Sequence, residues 1–309
     1  MDLKPFKVGL ILGGGGARGL AHVGILSVFE KEGIPVNIIS GASMGAIIGG
    51  IYAQNPDAQQ LRERVVKFIK GDKFRELGVN NFRKKNQQDP EDILSQLTQR
   101  VKRRLVINLA ANRISLLKAD RLLIAVKELI HDNLIEDCKI PFACVAADLR
   151  TGTEVTFKSG KMRKAIAGSS SIPGFLPPVE YNGYLLTDGS VINNFPVYVV
   201  REMGADLNIV INVSLGFEEN TNIDNVVDLI MRSGQITSRK LNELLQKDGD
   251  VVISPDIGHI HWSEFMRIDE IINLGEQAAR EAIPQIKKLI FKRKRFLYRL
   301  FNRSKNSKS

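Results

Sequence analysis

The chain has 309 residues, 43% hydrophobic and 25% charged, enough for one large domain or two small ones with a substantial core. Its two cysteines, Cys138 and Cys144, exclude a disulfide framework or a cysteine-built metal site and read as reduced thiols. The net charge of +10 is local: residues 285–309 hold ten Lys and Arg and no Asp or Glu, which leaves 34 of each sign elsewhere, so the body needs no polyanionic partner.

In chain order, Lys7–Leu12 reads as a buried strand that runs into Gly13-Gly14-Gly15-Gly16-Ala17-Arg18-Gly19. That apolar run is too short for a signal peptide, and no stretch approaches the ~20 apolar residues of a spanning helix. A cytoplasmic protein, or one peripheral on the inner face of a membrane, is expected. Leu20, Val23, Leu26 and Phe29 then share a helical stripe that stops at Gly33. Val36–Ile39 is a second short strand, followed at once by Gly41-Ala42-Ser43-Met44-Gly45 and a helix of small residues, Ala46–Ala53. Strand–helix–strand–helix predicts a mainly parallel sheet covered by helices. Residues 57–135 read as a helical insertion with a loop at Asn80–Pro90 and a helix capped by Asp120 that runs to His131. Phe142–Ala147 and Glu154–Phe157 are strands. Asn182-Gly183 marks a hairpin whose second strand, Tyr184–Thr187, delivers Asp188 at its end. Pro196 opens a helix closed by Gly204, Leu207–Val213 is a core strand, and Val226–Leu245 and Glu270–Ile290 are helical.

The pattern Gly41-x-Ser43-x-Gly45 between a strand and a helix places a serine on a sharp turn with its hydroxyl projected outward. Esterolysis through such a serine needs N–H donors where negative charge develops, and Gly13–Gly16 can turn several amides inward without Cβ obstruction. The same run also fits Gly14-x-Gly16-x-x-Gly19, a dinucleotide-binding pattern. That reading requires an acidic residue at the end of the second strand, and Ser40 stands there instead. A base for Ser43 could come from the four histidines, His22, His131, His259 and His261, or from a carboxylate. Asp256 with His259 and His261 offers a Ser–Asp–His order, but Ser43 follows only the second strand, too early for an α/β-hydrolase. Those three residues lack a further ligand for a metal site. Asp188, in Asp188-Gly189-Ser190 at a strand end, is the better candidate, with a turn-forming Asp-Gly as the alternative.

Taken together, these motifs resemble the patatin-like phospholipase family from about Val8 to Met203. The resemblance rests on the glycine loop with Arg18 and Gly19, the elbow Gly41–Gly45, the segment Ala167–Val179 and the pair Asp188-Gly189. It implies a three-layer α/β/α sandwich and a Ser–Asp dyad without histidine, Ser43 as nucleophile and Asp188 as base. The oxyanion hole would come from Gly14, Gly15 and Gly16, supported by Arg18, Gly19, Gly41, Gly45 and Gly189, and the substrate would be a lipid ester; no metal or cofactor is implied. Ser190 departs from the Gly or Ala usual after Asp-Gly. Ser169–Ser171 reads as a helix end shaping the acyl pocket, and Arg18 as a support for the loop.

Residues 1–284 are thus expected to form the hydrolase domain, and 285–309 a separable basic tail. On a helical wheel Ile286, Leu289, Ile290, Phe296, Leu297, Leu300 and Phe301 share one arc broken only by Arg293, with Lys and Arg opposite. Residues 286–303 are therefore expected to touch an anionic membrane surface. No nucleic-acid motif accompanies the charge.

Overall fold

The computed structural model describes residues 5–78, 115, 117, 119–214, 223 and 226–306. The expected loop at Asn80–Pro90 lies outside them. Among the described residues there are eight strands: β1 (Val8–Leu12), β2 (Ile38–Gly41), β3 (Phe142–Asp148), β4 (Glu154–Phe157), β5 (Val179–Tyr181), β6 (Tyr184–Asp188), β7 (Leu207–Ile211) and β8 (Val251–Ile253). The helices are α1 (Ala21–Lys31), α2 (Met44–Gln54), α3 (Ala58–Lys70), α4 (Asp72–Glu76), α5 (Ala119–Leu129), α6 (Met162–Ser169), α7 (Val197–Glu202), α8 (Val226–Leu245) and α9 (Ile268–Asn306). Several boundaries move from expectation: β7 ends at Ile211 rather than Val213, and α9 extends beyond both ends of Glu270–Ile290. β2 starts and ends two residues later, making Gly41 its last residue, and α5 begins at Ala119, so Asp120 lies in its first turn rather than capping it.

The strand path is β5-β6-β3-β2-β1-β7-β8, with β4 also on β3. β1 is central, parallel to both β2 and β7, and all five of its residues are buried. A strand covered on both faces reads as a continuous apolar run, which Val8–Leu12 is. One face of the sheet presents Leu10, Leu12, Ile39, Phe142, Cys144 and Ile209 to a core built with α1, α2, α3, α5, α6 and α9. The other presents Ile11, Ile38, Val210, Ala143 and Val145 to Phe195 and to Val197, Val199 and Val200 of α7. The fold is a three-layer α/β/α sandwich with a heavy and a light helical layer.

β3 brings the site together. Successive backbone groups of a strand face opposite edges. Pro141 O accepts from Ile39 N–H and Leu149 N–H donates to Leu185 O, whereas Asp148 N–H donates to Thr153 O. β2 and β6 therefore share one edge of β3, β2 parallel along its first half and β6 antiparallel along its second, while β4 takes the other edge. Their C-terminal ends converge, with Gly41 opposite Cys144 and Asp188 opposite Ala146. The hairpin that returns β6 turns as expected at Asn182 and Gly183, with φ of 51° and 83°.

The basic C-terminal segment is not separable in the way the charge pattern suggested. α9 is one helix of 39 residues that passes through Pro284, which sits on its exposed side. It crosses α1 at backbone distance, where Gly24 and Gly275 leave no room for a Cβ against Ile272 O and Ala21 O. Ile286 is fully buried, and Leu289 and Ile290 pack on the same core. Arg293, the break in the apolar arc, donates to both oxygens of Asp250 (2.5 and 3.1 Å) and to Asp206 O. Lys287 pairs with Glu32 at 2.8 Å. The first half of the expected tail is thus body helix, and the proposed boundary at 284 falls inside it. Among the described residues, no helix is long and apolar enough to cross a membrane.

Candidate active site

The turn between β2 and α2 holds Ser43 at φ 53°, ψ −126°. A non-glycine residue in that region costs about 1–3 kcal/mol and persists only where its surroundings impose it. Here they do. Ser43 N–H donates to Ser169 O (3.1 Å) and Ser169 Oγ (3.2 Å), and Ser170 Oγ donates to Ser43 O at 3.2 Å. Gly45 packs so closely on Leu12 that a Cβ would collide with its carbonyl oxygen, and a Cβ on Gly41 would lie 2.6 Å from Gly45 O. The flanking glycines are a packing requirement.

Asp188, 1% exposed, lies across this turn. Ser43 Oγ donates to Asp188 Oδ2 at 2.5 Å. The other oxygen, Oδ1, accepts from Ser190 N–H (2.9 Å) and Ser190 Oγ (2.7 Å). The departure at Ser190 therefore supplies a donor that Gly or Ala lacks. Burial raises the Asp188 pKa above its ordinary 3.8, against the opposing hydrogen bonds from Ser43 and Ser190. Ser171 O holds the backbone by accepting from Asp188 N–H (3.0 Å) and Thr187 Oγ (2.8 Å). The run Ser169–Ser171 thus braces both members of the pair, while Ser170 also lines the neighbouring cavity. Gly189 sits against Val145 O, with no space for a side chain.

The glycine loop lies on the third side. Gly13 N–H donates to Ile211 O (3.1 Å) and Ala17 N–H to Trp262 O (2.7 Å). A Cβ on Gly14 would stand 2.7 Å from the Cβ of Ser43. The expectation that Gly14 offers its amide is corrected: that N–H donates to Asn194 Oδ1 at 2.6 Å. Gly15 and Gly16 N–H have no acceptor among the described residues. Asn194 is the residue the sequence reading missed, because nothing in Asn193-Asn194-Phe195-Pro196 marks a partner 180 positions away. Arg18 is buried, and its Nε donates to Gly15 O at 3.2 Å, a loop-bracing position. Gly19 abuts Met44. The loop enters a 3₁₀ turn, Gly16–Leu20, before α1 begins at Ala21.

The histidines are engaged elsewhere. His22 Nε2 lies 2.8 Å from Gly13 O, and burial lowers its pKa to about 4, so the neutral ring donates there. His131 contacts Arg64, His259 contacts Glu270, and His261 Nδ1 faces Ser263 at 2.8 Å. Among the described residues, no group of three or more His, Cys, Asp or Glu could hold a metal.

From Ser43 a cavity of about 120 Å³ opens between α2, α3, α4 and α5. Ile47 and Ile48, Val65, Phe68 and Ile69, Phe74, and Leu122 and Leu129 form its walls. The described part of the helical insertion thus supplies much of the cavity wall, placing an apolar space beside a serine hydroxyl bound to a buried carboxylate.

The protein C. elegans (Caenorhabditis elegans) ZK370.4, named a patatin-like phospholipase domain-containing protein, is 29% identical over 308 residues, covering 90% of this chain and 21% of that protein. Lysophospholipase NTE1 of Saccharomyces cerevisiae is 27% identical over 303 residues, covering 90% of this chain and 16% of that protein. The chain thus spans about a fifth of the length of these curated relatives. Among solved structures, VipD from Legionella pneumophila aligns with a TM-score of 0.49 at 15% identity, over 91% of this chain and 67% of that one. The profile described as patatin-like phospholipase matches residues 10–201, which include the glycine loop, the serine turn and Asp188. That match takes in more than half of the sequence, and the chain belongs to the patatin-like phospholipase family.

Proposed function

We propose that the chain is a serine acyl hydrolase of lipid carboxylic esters, working through Ser43 and Asp188. One observation carries the reading: Ser43 Oγ donates to a buried carboxylate at 2.5 Å at the head of an apolar cavity. Ser43 Oγ forms a bond to the ester carbonyl carbon as its proton passes to Asp188 Oδ2. Negative charge collects on the carbonyl oxygen, where the Gly15 and Gly16 amides are the open donors. Collapse breaks the bond to the alcohol, which leaves with the proton from Asp188. Water, deprotonated by Asp188, then releases the fatty acid from the acyl-enzyme. Burial suits Asp188 to this work, because a raised pKa makes the carboxylate a stronger base. The relatives' names, a phospholipase domain protein and a lysophospholipase, agree with a lipid substrate. Turnover of p-nitrophenyl butyrate and a lysophospholipid by the wild type and Ser43→Ala tests the reading. The variant should fold and lose on the order of 10⁴–10⁶-fold in kcat, and an unchanged rate would end the assignment.

Peripheral contact with an anionic membrane belongs to the same proposal, moved toward the end of α9. Phe291, Phe296 and Tyr298 are 68%, 60% and 57% exposed, beside Lys292, Lys294 and Arg295. A cut after Pro284 would remove Ile286 and Arg293 from the body. A cut after Arg295 leaves those contacts in place, and it should weaken binding to anionic vesicles by roughly tenfold or more. Equal binding by the full and shortened chains would remove the residues beyond Arg295 from the membrane contact and leave the hydrolase standing.

A further inference from the structure

Four consecutive glycines, Gly13–Gly16, put few restraints on their own backbone, because glycine adopts φ of either sign at little cost. Gly16 uses that freedom, at φ 59°. A peptide unit in such a run can rotate, and a rotated unit would offer a carbonyl oxygen where the proposed reaction needs an N–H donor. The loop is held from outside. Three successive carbonyls are each bound by a side chain: Gly13 O by His22 Nε2 at 2.8 Å, Gly14 O by Asn194 Nδ2 at 3.4 Å and Gly15 O by Arg18 Nε at 3.2 Å. In a trans peptide the C=O and the following N–H point opposite ways, so each hold also turns an amide away from the side chain that makes it. Two of those amides, Gly15 and Gly16 N–H, have no acceptor among the described residues.

His22 makes the shortest of the three contacts, at the start of the loop. The carbonyl it binds and the Gly14 N–H belong to one peptide unit, and Asn194 Oδ1 accepts from that N–H at 2.6 Å. The unit is gripped from both sides and cannot turn without breaking both bonds. Asn194 passes the restraint on, since its Nδ2 also reaches Gly14 O in the next unit, the one that carries the Gly15 N–H. Packing sets the ring: His22 is fully buried in the first turn of α1, where Ala21 and Gly24 press against Gly275 and Ile272 of α9. A carbonyl only accepts, so Nε2 carries the hydrogen, and burial keeps the ring neutral by lowering its pKa to about 4. Nδ1 has no hydrogen-bond partner among the described residues, so the ring acts through Nε2 alone.

We infer that His22 is a positioning residue for the oxyanion site: by donating to Gly13 O against the pull of Asn194, it keeps the Gly15 and Gly16 amides available to the developing charge. The inference rests on the hydrolase reading above and adds to it a residue that acts through the loop. The test measures p-nitrophenyl butyrate turnover, and its inhibition by a long-chain trifluoromethyl ketone, in the wild type, His22→Leu and His22→Gln. Ser43 Oγ adds to the ketone carbon as its proton passes to Asp188, which leaves an oxygen anion where that of the ester would form. In His22→Leu kcat should fall about ten- to hundredfold with KM kept within about threefold, and the inhibition constant of the ketone should rise by a similar factor. His22→Gln places an N–H near the position of Nε2 and should recover most of both. Misfolding of part of the protein would lower kcat through the active fraction alone and leave the inhibition constant where it was. An unchanged inhibition constant in His22→Leu therefore overturns the inference, as does a His22→Gln variant that loses as much as His22→Leu. If His22→Leu yields no folded protein, His22→Met, also without an N–H, carries the same comparison. A wild type that turns over no ester ends the hydrolase reading and the inference with it, whereas an active wild type with an unchanged constant in the variant ends the inference alone.

Discussion

The two sides of Ser43 are built on different rules. On the polar side, toward Asp188 and the glycine loop, almost every contact is a directed hydrogen bond or a backbone approach that excludes a Cβ. On the cavity side, Ile47, Val65, Phe68, Leu122 and Leu129 contribute shape and little direction. Loss of a directed group in a closed polar site leaves its partner buried and unsatisfied, whereas an apolar wall repacks around a change of similar volume. The chemistry should therefore fail sharply on one side, and the chain preference should shift gradually on the other.

The largest effect should come from Asp188→Asn, which keeps the shape and removes the proposed base. Turnover should fall roughly 10³-fold or more. Its stability should move the opposite way. The folded-state pKa of Asp188 is raised, so the unfolded chain releases this proton first as pH climbs. The resulting destabilisation grows from pH 3.8 upward and is complete above the raised value. At pH 7 the amide variant should melt higher than wild type, with the advantage fading toward pH 3.8; an equal or lower Tm at pH 7 would contradict the burial argument. For the same reason, wild-type kcat/KM should drop as pH falls through that raised value.

Asn194→Ala comes next. It strips Gly14 N–H of its acceptor and loosens the loop carrying the open amides. Turnover of a short ester should drop about 10- to 100-fold, and a loss under twofold would show that the loop holds without it. On the cavity side, Leu122→Trp should shorten the preferred acyl chain, with long-chain rates down roughly tenfold and short-chain rates nearly kept. Equal losses for both would mean that this wall is as exacting as the polar side. The smallest change is expected from Ser190→Ala, a two- to fivefold fall in kcat, about what one hydrogen bond is worth. Loss of that donor removes an interaction that lowers the Asp188 pKa, so the acid limb should move up; a limb that stays or moves down would contradict the geometry.

The same contrast explains what could be read from the sequence. Backbone-dictated features were legible: Gly41, Ser43 and Gly45, the glycine run, and the Asn182-Gly183 hairpin each require a residue type that few others replace. The parallel sheet followed from Val8–Leu12 and its neighbours, because burial on both faces forces a continuous apolar run. Asn194 was not legible, since an asparagine that accepts from Gly14 has no local signature. Nor was the role of Ser169, whose backbone and hydroxyl hold the strained turn from another helix. In the basic segment, helical spacing grouped Ile286, Leu289 and Ile290 on one face, as the structure has them, but that face meets a protein core and Arg293 faces Asp250. Amphipathicity identifies a face without identifying what covers it.

The most direct test is to treat the wild type, Ser43→Ala and Asp188→Asn with a long-chain alkyl fluorophosphonate and map the adduct by tandem mass spectrometry. A single adduct on Ser43, absent in Ser43→Ala and formed far more slowly in Asp188→Asn, is the predicted result. An adduct on any of Ser169–Ser171, or labelling of Ser43 at the same rate without the carboxylate, would contradict the pairing of Ser43 with Asp188.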